Sequence, residues 1–396
     1  MKSAEDVVIV GVARTAFGRL LGSLSSLSAP QLGGYAIKAA CERAGVSSDD
    51  IDAVIFGQVL QAGVGQNPTK QAALAAGIRQ EAHTLTVNKV CLSGLTAVID
   101  AARLLRTGEA SIVIAGGMES MSNAPHVAGI RAGVKFGSST LADHMELDGL
   151  SCAYDGISMG TLTENFAQDY PVSREEQDRL SVASHQRAAG ATKGGVFDSE
   201  IVPVTITTRK GEVVVDTDEG VRPDVTVESL SALRPAFAKD GTITAGNSSQ
   251  ISDGAAALVL TNRALAEERG LPILAVVRAP GQIAGPNQSL QEKPAQALKV
   301  ALDRQGWSAS ELDHVEINEA FAAVAVHSAR VLGLAEEIVN PNGGAVALGH
   351  PIGASGARLA AHAALRLSRG EATRAGIALC GGGGQGEALL LEADRD

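Results

Sequence analysis

Four stretches of the 396-residue chain carry side chains that could act together on a substrate. They are VCLSG around Cys91, Asn318-Glu319-Ala320-Phe321, Gly349-His350-Pro351-Ile352-Gly353, and Cys380 followed by GGGGQG. Cys91 lies in TLTVNKVCLSGLTAVIDAARLLRTG, from Thr84 to Gly108, which reads as a buried strand, a tight turn and an amphipathic helix. At such a junction the unpaired N–H groups of the helix start meet the positive end of its dipole. Both favour a thiolate, the reactive form of cysteine, so Cys91 is the candidate nucleophile. A histidine such as His350 could take the thiol proton, and the glycine run would let backbone N–H groups approach a reacting carbonyl. Cys380 is a second cysteine that a plain cysteine hydrolase would not need; it could act as acid or base at a carbon acid. Plainer readings exist for each part. A cysteine at a strand–helix junction is often a small buried hydrophobe, and Asn318 could simply cap a helix. His350, between glycine and proline, is expected in a loop. The other histidines are expected to be structural or at the surface, and Cys41 and Cys152 inert.

These residues must be held by a layered scaffold. VVIVGV (7–12), IDAVIFGQVL (51–60), SIVIAGG (111–117) and SDGAAALVLTN (252–262) read as buried strands, and a helix pattern ending at Gly45 follows a loop with Pro30. A further helix is expected over 66–78, with Pro68 near its start. Strands alternating with helices indicate an α/β fold. An internal repeat sharpens this. Ser93-Gly94 is followed by Arg106-Thr107-Gly108-Glu109-Ala110 and IAGG; Ser355-Gly356 is followed by Ser368-Arg369-Gly370-Glu371-Ala372 and ALCGG. The glycine spacing is 108 − 94 = 14 in one copy and 370 − 356 = 14 in the other, which points to duplicated halves. Duplication would bring two helix N-termini, one with Cys91 and one with His350, toward a common centre. The stretch 121–245 breaks the pattern and reads as an insertion covering the core; within it Ser173 and Glu176 form a capping box. The expected division is 1–120 plus 246–270, the insertion 121–245, and a second half 271–396. Gly381-x-Gly383-x-x-Gly386 matches a dinucleotide fingerprint, but the following EALLLE reads as a strand, not the helix that a pyrophosphate needs.

A net charge of −11 argues against nucleic acid as a partner. No apolar run reaches the ~18 residues of a membrane span, and the N-terminus does not read as a targeting peptide. Four cysteines without a CxxC suggest neither a zinc site nor a disulfide framework, so a reduced, cytoplasmic protein is expected.

The stretches NKVCLSGL, GGMESMS, SREEQD, SHQ, RPAF, AGNSS, SDGAAA, NEAFA, GHPIGASGAR and CGGGGQG together resemble the thiolase family over essentially the whole chain. The resemblance implies duplicated α/β halves in an α-β-α-β-α arrangement with an inserted covering loop domain. It implies an acyltransferase that condenses two acetyl-CoA to acetoacetyl-CoA and CoA, or runs the reverse thiolysis, through an acyl-Cys91 intermediate. By the same resemblance His350 would activate Cys91, and Cys380 would deprotonate the second acetyl-CoA. Asn318 would hold a water that, with His350, stabilises the enolate oxygen; the N–H groups of Cys91 and Gly382 would form a second oxyanion hole. Coenzyme A contacts would come from Arg222, Ser229, Leu233, Phe237 and Ser249. Candidates for the acyl pocket are Leu92, Ser158, Met159 and Phe321. Ser158 stands where acetoacetyl-CoA-forming members commonly have histidine, and Leu92 where many have glycine. SSQISDGAAA looks like the degradative members of broader chain length. The alternatives are therefore a 3-ketoacyl-CoA thiolase of β-oxidation and, in another class, a non-catalytic CoA-binding or scaffold subunit. Coenzyme A thioesters would be substrates, with no metal or other cofactor. A homo-oligomer, dimer or tetramer, is expected.

Overall fold

The computed structural model describes residues 3–209 and 211–395. Its main strands are β1 (Val7–Thr15), β2 (Ala53–Gly57), β3 (His83–Val87), β4 (Ile112–Ser120), β5 (Ser252–Asn262), β6 (Ala275–Ala284), β7 (His314–Ile317), β8 (Arg374–Gly381) and β9 (Gln385–Glu392). They belong to one mixed 11-stranded sheet whose main path runs β7-β8-β9-β6-β1-β5-β4-β2-β3. That path repeats one pattern. In the first half β2 is parallel to β3 and β4, while β5 is antiparallel to both β4 and β1. In the second, β7 is parallel to β8 and bridges in parallel to Val339, while β9 is antiparallel to both β8 and β6. Val339 thus stands where β3 stands in the first half. The halves join where β1 pairs antiparallel with β6, at Val8–Val276 and Ile9–Ala275.

The helices used below are α1 (Ala29–Ala44), α2 (Pro68–Ala75), α3 (Ser93–Thr107), α4 (Met159–Asn165), α5 (Arg174–Lys193), α6 (Val227–Ser231), α7 (Lys293–Gln305), α8 (Ala322–Leu332) and α9 (Ser355–Ser368). Because side chains alternate across a strand, each strand serves two cores. Val8 and Val10 pack with Ala36 and Ile37 of α1, whereas Val7 and Ile9 pack with Leu95 and Val98 of α3. In the second half, Ile377, Leu379, Leu389 and Leu391 join that same core with Leu359 and Ala360 of α9. Their neighbours Ala378, Ala388 and Leu390 face Leu298 and Leu302 of α7 instead. α3 and α9 therefore form a shared middle layer, and the order is α-β-α-β-α.

The repeat in the sequence marks this middle layer. α3 stops at Gly108 (φ 73°), and Gly370 (φ 72°) follows α9 at the same spacing. The two helices meet at their first turns. A Cβ on Gly94 would lie 2.8 Å from the Gly353 carbonyl oxygen, and one on Gly356 would lie 2.5 Å from the Leu95 nitrogen. On β4, a Cβ at Gly117 would fall 2.0 Å from the same Gly353 oxygen. Only glycine permits these approaches.

Two expectations are corrected here. β3 is not a buried strand: it ends the sheet's main path, with Leu85 half exposed and Val87 packed against the middle core. Pro30 is not in the preceding loop but in the first turn of α1, where its missing N–H costs nothing, after a capping box of Ser28 and Gln31. The Ser173–Glu176 capping box forms as expected at α5, and EALLLE is strand β9. Among the described residues no helix is long and apolar enough to cross a membrane.

The glycine contacts predict opposite signs for two alanine substitutions. Gly117→Ala should lower stability by about 1–3 kcal/mol through overpacking. Gly190→Ala, at a site within α5 with nothing within 4 Å, should raise it by up to ~1 kcal/mol through helix propensity. Denaturant titration checks both; equal effects would contradict the close approach.

Candidate active site

Cys91 sits on the turn between β3 and α3. The turn is pinned by Ser93, whose hydroxyl accepts the Lys89 N–H at 2.8 Å and donates to the Val90 carbonyl at 2.6 Å. Lys89 also reaches Glu387 of β9 at 2.9 Å, tying the turn to the second half. Val90 has φ 51°, a left-handed conformation that a β-branched residue adopts only when its surroundings impose it. The sharp turn aims the sulfur into a cavity of about 60 Å³. Cys91, His350, Cys380 and Gly382 all line that cavity, together with Val90, Gly149, Leu150, Met159, Ser249, Leu290, Ala320, Phe321, Ile352 and Gly381.

Cys380 arrives from the opposite half, near the end of β8. The backbone N–H groups of Cys91 and Gly382 both hydrogen-bond the Cys91 sulfur. His350 lies in the loop before α9, its N–H donating to the Gln250 carbonyl at 2.9 Å. Its Nδ1 is 2.6 Å from the Ser355 hydroxyl, which itself donates to the Pro351 carbonyl at 3.0 Å. With the serine proton so placed, Nδ1 carries the histidine proton and Nε2 keeps its lone pair. Nε2 faces the Asn318 amide nitrogen at 3.4 Å, and the Asn318 oxygen is buried with no partner in the protein. Asn318 does not cap a helix: it follows β7, and Phe321 occupies the N-cap position of α8 without a side-chain bond. Neighbouring Glu319 fixes the turn by accepting Ser184 Oγ at 2.7 Å, Asn340 Nδ2 at 2.8 Å and the Val346 N–H at 3.1 Å.

Electrostatics correct the thiolate expectation. Burial pushes the Cys91 thiol up to about 12, against the pull of the two N–H groups, and the Glu119 charge adds to the rise. The Cys380 thiol is also pushed up, first by burial and then by Cys91. His350 is pushed down to about 4 by burial and by Arg358. Helix starts and N–H donors are present, but desolvation outweighs them. The resting site holds two neutral thiols and a neutral imidazole.

The remaining sequence candidates separate. Met159 and Phe321 line the cavity, and Phe237 packs edge-on to Phe321 with ring centroids 6.0 Å apart. Leu92 and Ser158 do not line it. Leu92 is buried in the middle core under Gly381, and the Ser158 hydroxyl is spent capping α4 through the Thr161 N–H at 3.1 Å. Ser249 lines the cavity, whereas Arg222, Ser229 and Leu233 lie outside it on the surface. They are joined to it by the chain: Gly220 accepts from Gln250, and Leu230 and Leu233 pack over Gly246. Arg222 is held by His185, whose Nδ1 accepts its backbone N–H and whose Nε2 is 3.1 Å from its guanidinium. Cys41 and Cys152 are buried free thiols away from the cavity. Sequence reasoning missed Ser355, Leu150, Leu290 and Ile352. Ser355 and Ile352 stand inside the quoted GHPIGASGAR, but no periodicity distinguishes Leu150 or Leu290. Among the described residues no His, Cys, Asp and Glu cluster could hold a metal ion.

The imidazole assignment is measurable. Nitrogen NMR of His350 should show a protonated Nδ1 and an unprotonated Nε2 at neutral pH. Ser355→Ala should raise the fraction of the opposite tautomer; an Nε2–H form in the unaltered protein would contradict the network.

Comparison with known proteins agrees with this arrangement. The model of the thiolase N-terminal domain matches residues 7–264, and that of the thiolase C-terminal domain matches residues 271–393. A probable acetyl-CoA acetyltransferase of Mycolicibacterium smegmatis is 52% identical over 97% of this chain and 100% of its own length. Acetyl-CoA acetyltransferases of Cupriavidus necator and Pseudomonas aeruginosa are 48% and 46% identical over 98% of this chain and 99% and 100% of theirs. Two matched domains spanning nearly every residue, with relatives this close over their full lengths, make the chain a member of the thiolase family.

Proposed function

We propose that the protein is an acetyl-CoA C-acetyltransferase, joining two acetyl-CoA into acetoacetyl-CoA and CoA and running the reverse thiolysis. The observation that carries this reading is the convergence of Cys91, His350 and Cys380 on one small cavity. Carbon–carbon bond formation between two thioesters needs a covalent acyl holder, a separate base, and two places for negative oxygen.

Cys91 attacks the thioester carbonyl while its proton passes to Nε2 of His350, so no free thiolate has to exist beforehand. The bond from the carbonyl carbon to the CoA sulfur breaks, that sulfur takes the Cys380 thiol proton and leaves as the CoA thiol, and the acetyl group stays on Cys91. The Cys91 and Gly382 N–H groups, both directed at the sulfur, receive the developing oxyanion; one such donor is worth about 10²–10³ in rate elsewhere. Cys380, left as a thiolate once its proton has gone to the departing CoA, then takes a methyl proton from the second acetyl-CoA, whose enolate oxygen meets the Asn318 and His350 side. His350 can donate there only while it carries a proton on Nε2. The enolate carbon bonds the acetyl carbonyl carbon, the bond from that carbon to the Cys91 sulfur breaks, and Cys91 recovers its proton from Nε2 of His350.

The acetyl preference is supported by the cavity's size, on the order of a few water molecules, and by apolar walls from Leu150, Met159, Leu290, Phe321 and Ile352. Residues 121–245, the proposed covering part, supply Leu150 and Met159, and their Arg222, Ser229, Leu233 and Phe237 are the proposed coenzyme A contacts with Ser249. Arg222 would serve an anionic group in an otherwise acidic protein.

Two assays test the reading. In thiolysis, a 3-ketoacyl-CoA of medium chain length should turn over at least about tenfold more slowly than acetoacetyl-CoA; equal or faster turnover would favour the β-oxidation thiolase. In deuterium oxide, the protein should exchange the methyl protons of acetyl-CoA. Cys380→Ala should slow that exchange by about 10²–10⁴, and undiminished exchange would remove Cys380 from the role of base.

A further inference from the structure

Glu119 is a buried acid that the chemistry above does not use. It lies on β4 with no exposure to solvent. Three backbone N–H groups converge on its carboxylate: Leu60 on Oε1 at 3.0 Å, and Val59 and Gly353 on Oε2 at 3.0 and 2.9 Å. The donors come from both halves of the molecule. Val59 and Leu60 follow β2, whereas Gly353 lies three residues after His350, in the loop that enters α9. Gly353 is also the residue whose carbonyl the glycines at 57, 94 and 117 make room for. The His350 loop is therefore held on one side by backbone packing and on the other by a single buried carboxylate.

We propose that the Glu119 carboxylate is the positioning residue that fixes the His350 loop against the Cys91 half, and so sets the distance over which the Cys91 proton must move. The inference rests on His350 being the base for Cys91. Its physical basis is donor counting. A carboxylate is acceptor-only and can hold three N–H groups. An amide side chain replaces one of these oxygens with a nitrogen that cannot accept, so at least one N–H loses its partner, a costly state in a dry site. Protonation of the acid weakens the hold without abolishing it, because a neutral carboxyl is the poorer acceptor. A 1 Å displacement of a catalytic group costs about 10² in rate, which makes the hold catalytically visible even where the fold survives.

The carboxylate also titrates in a useful range. Burial raises it, the three N–H groups pull it back, and it settles at about 7. The titratable groups facing it are Asp253 of β5, whose charge opposes its own, and Cys91 at the turn before α3, a neutral thiol through this range. Below that midpoint Glu119 gains a proton, loses its charge and holds the three N–H groups less tightly. His350, at about 4, stays neutral through the same window. An acid limb of kcat near pH 7 therefore belongs to Glu119.

The test pairs a variant with a measurement on the unaltered protein. Glu119→Gln should lower kcat for thiolysis about 10–100-fold while KM changes by less than about twofold, and its acid limb near pH 7 should vanish. Unchanged kcat, or an acid limb that persists in the variant, would overturn the proposal. Should the variant not fold, hydrogen exchange in the unaltered protein decides. The Val59, Leu60 and Gly353 amides should be better protected above the Glu119 midpoint than below it, after correction for intrinsic rates. Equal protection would overturn the proposal. Protection that follows the midpoint in a protein lacking thiolysis would instead overturn the functional reading while supporting the carboxylate's hold on the loop.

Discussion

The close approach of two helix starts organises this molecule. α3 and α9 touch at Gly94 and Gly356, and the Gly353 carbonyl sits where three other glycines give it space. Methyl groups at these positions would push the halves apart by distances comparable to a bond length. The contact places the residue before one helix, Cys91, and the loop before the other, His350, in the same cavity. Duplication of the sheet order then delivers a third arm. β8 of the second half occupies the place that β4 occupies in the first, and its end carries Cys380 and the Gly382 N–H. A cavity assembled this way needs both halves, since Cys91 comes from one and His350 and Cys380 from the other.

Dryness sets the chemistry. The helix starts and backbone donors lower the cost of negative charge, yet burial keeps Cys91 and Cys380 as thiols and His350 neutral. In the proposed chemistry charge arises only as substrate enters and protons move, which suits donors aimed at an oxyanion that exists for an instant. The strained Val90 and the network of Ser93, Lys89 and Glu387 hold the Cys91 turn in place.

Much of this was legible in the chain. The matched 14-residue glycine spacings and the common Gly-Glu-Ala predicted two equivalent central helices, because a helix stop and a tight helix crossing both demand glycine. VCLSG, GHPIG and CGGGG predicted the three arms, since a reactive side chain beside small residues has few structural explanations. Other features left no such mark. Leu92 looked like an acyl-pocket residue because it adjoins Cys91, but the helical turn swings it a third of a circle away into the core. Ser158 looked chemical and instead caps α4. β3 read as buried, although it ends the sheet's main path. Leu150 and Leu290 come from distant loops, and only tertiary packing brings them to the cavity. Glu119 and Ser355 meet the His350 loop and ring only through the fold, and the sequence carries no local pattern for such contacts.

The central claim is that Cys91 is the covalent acyl carrier of a site shared between the halves. Peptide mapping by mass spectrometry after brief exposure of the protein to acetyl-CoA tests it most directly. One acetyl group on the Cys91 peptide, none on the peptides of Cys41, Cys152 or Cys380, and its loss on addition of CoA is the predicted result. An unmodified Cys91, or an acetyl group carried by Cys380 instead, would contradict the account.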